Sequence, residues 1–396
     1  MKIKSLLVSM VLLILFMFSG CISDPSTLMK DNGLSSITGA EQLQKMFNDR
    51  TKLNRWSLFK GDVIVPESGT DELDEPNYTK TNVQVDGVDE GDVVKTDGER
   101  IYSIYQDMLR VVAIKESGAM ELLLNECLSP KEENKDSWYY NNTYYYELYI
   151  TDDYLVAIGQ RYEIFSYDYD FGPNKRAPFS NTNMGVIAIY DLESLAKVKE
   201  YEVSGSIIAS RLIEDDLYLI TNYYPWLEAN DLRPFTKNGE EIDYFAYQDI
   251  KYLTDVDCES YTIVTHLQLD TELAIENDVF LGASSWGYVY VSQSAIYLAT
   301  MKYTYTFFWN GKYIGQIISY LFDEDGSVMY GGFGNFDGTI INQFAMDEYN
   351  DYLRIVTTEG WGKTAKNRLY VYERKIKNNR YVLEVVGKIF EGLGKP

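Results

Sequence analysis

From Asn82 to the C-terminus, short runs rich in Val, Ile, Tyr and Thr alternate with Gly, Asn and Asp. Apolar–polar alternation with a period of two predicts half-buried β-strands separated by turns. Pairs suited to tight hairpins recur between the runs: Asp97-Gly98, Asn310-Gly311, Asp325-Gly326 and Asn378-Asn379. Long helical periods are missing, which disfavours βαβ units and a parallel sheet. Upstream the pattern changes. Ser36 or Thr38 can cap a short helix reaching about Arg50, with Leu43, Met46 and Phe47 on one face. Polar stretches flank it. Residues 22–37 read as a tether. Residues 66–81, with Glu67, Asp71, Glu72, Asp74 and Glu75, read as a solvated linker.

The β region carries a loose repeat. A polar or acidic turn leads into a short apolar-aromatic strand five times, at Ile101, Leu155, Leu217, Ile296 and Leu353. The gaps are 54, 62, 79 and 57 residues. A four-stranded propeller blade takes about 40–50 residues, more with insertions. The spacing therefore predicts an all-β fold, a β-propeller with about five recognisable blades carrying long loops. A β-sandwich with chance similarity among strand starts is the alternative.

The N-terminus has a different signature. Lys2 and Lys4 precede an apolar run over residues 6–18, broken only by Ser9, and Ser19, Gly20 and Cys21 follow. A basic start, a short apolar core and small residues at the end describe a secretory signal peptide. The run is shorter than the roughly 20 residues that span a bilayer. Phe18-Ser-Gly-Cys21 resembles a lipobox, the motif of prokaryotic secreted lipoproteins, and that resemblance implies lipidation at Cys21. An uncleaved anchor with an incidental Cys is the alternative. Both place the rest of the chain outside the cytoplasm, attached to the membrane. Residues 1–21 are then leader, 22–80 tether, helix and linker, and 81–396 the β domain.

Composition narrows the possible partners. The formal charge is −24, and near −26 without Lys2 and Lys4. Such a surface repels nucleic acid and anionic headgroups, so nucleic-acid binding is excluded as a role. Beyond Cys21 only Cys127 and Cys258 remain. On an exported chain they can form a disulfide; two buried free thiols fit equally well. His266 is the single histidine, which excludes a site built on several His, and its strand-like surroundings read as structural. Asn77 and Asn141 begin Asn-x-Thr glycosylation acceptor patterns.

Two long segments resemble a family of secreted prokaryotic proteins with a C-terminal β-propeller domain distantly related to WD40 repeats. One is Thr81-Asn-Val-Gln-Val-Asp-Gly-Val-Asp-Glu-Gly-Asp-Val-Val-Lys-Thr-Asp-Gly98, and the other is Gly338-Thr-Ile-Ile-Asn-Gln-Phe-Ala-Met-Asp-Glu-Tyr-Asn-Asp-Tyr-Leu-Arg-Ile-Val-Thr-Thr358. The family commonly has Ala where Gly91 stands. The resemblance also implies further blades beyond Pro396, so the domain reads as C-terminally truncated. A rearranged five-blade closure, or a partner completing the circle, are the alternatives.

Candidate chemistry is sparse. Asp86, Asp89, Glu90 and Asp92 crowd near flexible glycines and make a weak calcium candidate, without the spacing of an EF-hand; a tight corner capped by Asp side chains is the stronger reading. No other cofactor is indicated. Asp347 and Glu348, within the second long segment, are candidate carboxylates for acid-base work. Lys363, Lys366 and Arg368 read as a loop at the ring's mouth. Aromatic groups at residues 138–149 and 223–226 read chiefly as core or inter-blade packing; where exposed, they suit a surface protein or a glycan. Taken together, the sequence reads as a non-catalytic binding or scaffold module at the cell surface. A surface hydrolase using carboxylates in the channel is the alternative.

Overall fold

The computed structural model describes residues 34–54, 83–129, 140–166, 179–227, 229–239, 241–253, 259–282, 287–305, 311–360, 362, 365–378 and 380–394. Cys21, Asn77 and Cys258 lie outside them, as does the side chain of Asn141.

The described chain begins with β1 (Ser35–Ser36) and one helix, α1 (Ala40–Asn54). Thr38 donates from its backbone N–H and its hydroxyl to Gln42 Oε1, each at 2.8 Å, which satisfies donors at the helix start. Five antiparallel meanders follow. Sheet I contains β2 (Val94–Thr96), β3 (Arg100–Tyr105), β4 (Met108–Ile114) and β5 (Met120–Cys127). Sheet II contains β6 (Tyr140–Ile150), β7 (Tyr154–Ser166), β8 (Phe179–Asp191) and β9 (Lys197–Ser204). Sheet III starts with β10 (Ser206–Ile213) and β11 (Asp216–Tyr223). The chain then adds β12 (Phe235–Asn238) and β13 (Glu241–Tyr244) to the edge of sheet II, and lays down β14 (Ile250–Tyr252). It returns to sheet III as β15 (Tyr261–Gln268) and β16 (Ile275–Leu281), with β14 and β1 at the edge beyond β16. Sheet IV contains β17 (Gly287–Val291), β18 (Ala295–Tyr305), β19 (Gly311–Phe322) and β20 (Val328–Asp337). Sheet V contains β21 (Met346–Tyr349), β22 (Tyr352–Glu359), β23 (Lys366–Lys377) and β24 (Arg380–Ile389).

Each repeat anchor lies in the second strand of a different sheet. Strand alternation then builds the core, because successive side chains point to opposite faces. Leu155 and Ala157 pack with Tyr102 and Ile104 of sheet I, while Val156 and Ile158 pack with Leu217 and Leu219 of sheet III. Tyr218 and Ile220 face Ile296 and Leu298 of sheet IV. Tyr297 and Ala299 face Leu353 and Ile355 of sheet V. In sheets II to V the anchor and the residue two beyond it thus face the preceding sheet, and in sheets I to IV the alternate residues face the following one. Burying a large aliphatic or aromatic side chain contributes about 1.5–3 kcal/mol, so these clusters are the main stabilising contacts between sheets. They join the sheets in the series I–II–III–IV–V, and no hydrophobic cluster among the described residues joins V back to I. Leu43 and Phe47 of α1 enter the cluster between sheets II and III, with the Phe47 ring 5.7 Å from that of Tyr261.

The turns from first to second strand and from third to fourth strand gather at one end of the series. Hydrogen bonds clasp neighbouring sheets there. Arg100 donates to the Leu192 carbonyl at 2.6 Å, joining I to II. Tyr154 donates to the Asp270 carbonyl at 3.0 Å, joining II to III. Tyr218 donates to the Gly326 carbonyl at 2.7 Å, joining III to IV. Ser292 and Ser294 both donate to Glu348 at 2.6 Å, joining IV to V. The Asp97-Gly98 turn shows how the sequence makes these ends. Gly98 takes φ +93°, and the Asp97 carboxylate accepts from the amides of Glu99 and Arg100 and from the Tyr102 hydroxyl.

Candidate functional site

The segment over residues 84–93 runs past sheets V, IV, III and II before it enters sheet I. Gln84 Nε2 donates to the carbonyls of Gln343 and Met346, at 3.0 and 3.3 Å, where β21 begins. The Asp86 carbonyl accepts from Gln293 Nε2 at 2.8 Å, in the β17–β18 turn. Val88 is buried in the cluster between sheets III and IV. Asp89 exchanges both backbone hydrogen bonds with Leu212 of β10, at 2.7 and 3.0 Å. The Asp92 carbonyl accepts from the Leu148 amide of β6 at 2.8 Å. The chain then enters sheet I as β2. The segment is an axial thread that meets V, IV, III, II and I in turn.

Its side chains build a closed polar network where sheets I, II and III meet. Lys95 Nζ donates to both Asp89 carboxylate oxygens at 2.9 Å and to the Glu90 carbonyl at 2.7 Å. The same ammonium lies 5.5 Å from the centre of the Tyr149 ring. Glu90 pairs with Arg211 at 3.2 Å, and Arg211 also donates to the Ser210 carbonyl at 2.6 Å. The Ser210 hydroxyl bonds Tyr149 Oη at 2.7 Å and the Glu147 carboxylate. Burial pushes the Glu147 carboxyl up, against the Ser210 hydrogen bond and the charges of Arg211 and Lys95, which favour its ionised form. Gly91 makes room for Glu147: a Cβ there would lie 2.7 Å from both Glu147 Cβ and Cγ.

A buried carboxyl with a raised pKa is a common mark of acid-base sites. Here its hydroxyl partners are sealed: Ser210 is 1% exposed and Tyr149 0%. Each charge in the network is met by an opposite charge or a hydrogen bond. The arrangement can hold strands together, but it offers no substrate access to Ser210 or Tyr149.

The calcium candidates separate for the same reason. Asp89 and Glu90 turn to Lys95 and Arg211, Asp92 accepts from the Val93 amide at 2.7 Å, and Asp86 is exposed. Among the described residues no group of three His, Cys, Asp or Glu could hold a metal ion. Asp347 and Glu348 are neighbours on β21 and so face opposite sides. Asp347 pairs with Arg354, while Glu348 accepts from Ser292 and Ser294 inside the IV–V junction. They do not converge. Lys366 and Arg368 belong to β23 rather than to a loop, and Arg368 pairs with Glu359; Lys363 lies outside the described residues. Cys127 is exposed at the end of β5. His266 bonds Asp216 at 2.7 Å and stacks on Tyr218 at 5.1 Å, a structural placement within β15.

Glu147, Ser210 and Arg211 are absent from the sequence-based candidates, and Tyr149 entered only as one of the aromatic group at residues 138–149. Their signal is a charged residue inside an otherwise apolar or aromatic strand: Glu147 among tyrosines, and Arg211 between Ala209 and Leu212. A buried charge needs a partner, but the sequence does not name which strand supplies it.

Residues 78–395 match the family described as beta propeller domain, and the chain belongs to that family. Two relatives are uncharacterised archaeal proteins. The one from Archaeoglobus fulgidus is 26% identical over 80% of this chain and 56% of its own length. The one from Methanocaldococcus jannaschii is 22% identical over 98% of this chain and 69% of its own length. The chain thus spans little more than half of the first relative. A crystal structure of a protein from Lactobacillus plantarum covers 74% of this chain and 69% of its own, at 12% identity and a TM-score of 0.25.

Proposed function

We propose that the protein is an exported, lipid-anchored β-propeller protein whose five sheets, read as blades, form a non-catalytic binding or scaffold module at the cell surface. The leader-like N-terminus ending at Cys21 supports export and anchoring. Two acyl chains, each CH₂ contributing about 0.8 kcal/mol, would make attachment durable. The binding role rests on the distribution of aromatics. Strand direction puts the connections from second to third strand at the end opposite the clasped turns. Exposed Tyr144, Tyr162, Tyr224 and Trp226 lie towards that end, with the Tyr144 and Tyr162 rings edge to face at 6.1 Å. Aromatic side chains on a rigid scaffold suit recognition of a surface protein or a glycan.

Mass spectrometry of the mature N-terminus tests the anchor: a lipid-modified Cys21 is expected, and an unmodified Cys21 refutes it. Retention of a component from cell-surface extracts tests binding. Wild-type protein is expected to retain one, and the Tyr144→Ala/Trp226→Ala double variant to lose it. Retention indifferent to both changes would remove the aromatic face from the proposal.

A further inference from the structure

The connection from second to third strand differs sharply between sheets. In sheet I it is residues 106–107, between β3 and β4. In sheet III it runs from residue 224 to residue 260 and carries β12, β13 and β14. Connections of that length are uncommon in compact domains and are usually functional. This one is fastened along its course. β12 pairs with β9 of sheet II, and β14 with β16 of sheet III. Leu232 enters the cluster between sheets II and III, and Leu253 the cluster between III and IV. The Phe235 amide donates to the Ser204 hydroxyl at 2.9 Å.

A ladder of rings runs outward through these anchors. Tyr261 stacks on Tyr223 at 6.0 Å, Tyr223 meets Phe235 edge to face at 5.9 Å, and Phe235 meets Tyr244 at 5.5 Å. The Arg233 guanidinium then lies 5.2 Å from the centre of the Tyr244 ring and 4.5 Å from that of Tyr247. Asp231 fixes its plane. Nε donates to the two Asp231 carboxylate oxygens at 3.0 and 3.1 Å, and Nη2 donates to one of them at 2.7 Å. Nη1 donates to the Phe245 carbonyl at 3.0 Å. A guanidinium has five N–H groups; among the described residues these contacts leave one on each terminal nitrogen. The ladder passes from a sealed core to the surface: Tyr261 is 0% exposed, Tyr244 37%, and Trp226 on the same connection 37%.

We propose that this insertion is the ligand-binding element of the aromatic end, and that its ligand is an uncharged glycan. The inference rests on the binding role proposed above and names the class of ligand. Small-ligand sites combine aromatic surface with a few fixed polar groups. A sugar ring presents C–H faces bordered by hydroxyls. Tyr244 and Trp226 offer partly exposed rings to the C–H faces, and Tyr244 is already held by its neighbours, so little freedom is lost on binding. The Asp231–Arg233 fork offers N–H donors and carboxylate lone pairs to the hydroxyls. Its two charges cancel, so it favours neither an anion nor a cation. The net charge of −24 repels acidic polysaccharides and leaves uncharged ones unaffected.

Native electrophoresis of the full chain in detergent, through gels holding neutral mannan, neutral β-glucan or acidic alginate, tests this. Wild-type protein is expected to be retarded by a neutral polysaccharide and not by alginate. Tyr244→Ala and Trp226→Ala are each expected to bind at least about tenfold more weakly, the loss that accompanies roughly 1.4 kcal/mol. Tyr244→Phe keeps the ring and is expected to bind as wild type does. Trp226 stands outside the ladder, so its variant reports on binding even where Tyr244→Ala loosens the fold. Circular dichroism and melting curves establish that each variant folds. Absence of retardation by both neutral polysaccharides, retardation indifferent to both alanine variants, or equal retardation by alginate overturns the proposal. A component retained from cell-surface extracts that protease destroys and periodate oxidation spares overturns the glycan and leaves the binding role standing. Retention of nothing from those extracts removes both.

Discussion

The crowding at Gly91 can be tested by adding one methyl group. Gly91 is not in the left-handed region, so Ala suffers no backbone strain there. Its Cβ would nevertheless lie 2.7 Å from Glu147 Cβ and Cγ and 3.0 Å from Cδ. Cβ is the stiff base of that side chain, so a rotamer change cannot clear the contact and a strand must move. The moving strand would be β6 or the axial thread, which are tied together by the Asp92–Leu148 hydrogen bond. Overpacking of this type costs about 1–3 kcal/mol. Against it, Ala in place of Gly restricts the unfolded chain and returns about 0.4–1 kcal/mol. Gly91→Ala is therefore expected to destabilise by about 1–2 kcal/mol and to lower the melting temperature by a few degrees. Glu147→Gly removes every atom in the clash. In that background Gly91→Ala is expected to be neutral or slightly stabilising, whatever Glu147→Gly costs alone. Thermal melts of the four proteins give the coupling as a double-mutant cycle. An unaltered melting temperature for Gly91→Ala, or an equal cost in both backgrounds, refutes the packing argument. The resemblance to chains with Ala at this position carries a corollary: such chains need a smaller residue, or a displaced strand, opposite it.

Three further outcomes follow from the same geometry. Lys95→Met removes the ammonium that donates to both Asp89 carboxylate oxygens and to the Glu90 carbonyl. Breaking a fully buried pair costs about 3–5 kcal/mol; Asp89 is 37% exposed and can be rehydrated, so denaturant titration is expected to show a loss of about 2 kcal/mol. Burial pushes the Asp278 carboxyl up to about 6, partly offset by the charge of Lys251. A carboxyl raised in the folded state favours folding at low pH, and that contribution fades as pH rises from about 4 through about 6. Asp278→Asn is thus expected to gain stability over wild type between those pH values and to keep the gain at pH 7; a pH-independent difference refutes it. Asp89 and Glu90 already hold Lys95 and Arg211, so a chelator is expected to leave the melting temperature unchanged. A drop reversed by calcium would return these carboxylates to metal binding.

The strand pattern is legible in the sequence because period-two alternation and the Asp97-Gly98 and Asp325-Gly326 turns report local geometry. The repeat anchors are legible for a further reason. Leu155, Leu217, Ile296 and Leu353 each follow a turn and enter a core facing the preceding sheet, and Ile101 holds the same position in sheet I, so one local motif marks all five sheets. The polar network is less legible. Asp89 and Glu90 sit in an acidic run whose composition suggests a cation, and the cations that answer it, Lys95 and Arg211, lie in different sheets. Asp347 and Glu348 look like a pair in the sequence, yet adjacency in a strand is what sends them to opposite faces. Helix α1 is legible from Leu43, Met46 and Phe47. Its docking between sheets II and III is not, because the ring it meets, Tyr261, lies more than two hundred residues away.

The most direct test of the axial thread is amide hydrogen exchange at Asp89, Leu148 and Leu212. These three amides donate across chain segments in the bridges that tie the thread to β6 and β10. A thread fixed to the first strands of sheets II and III requires them to exchange as slowly as amides in the middle of β7 and β11. Exchange at the rate of exposed turns such as residues 106–107 would mean that the thread is an ordinary surface loop, and the architecture described for it would be wrong.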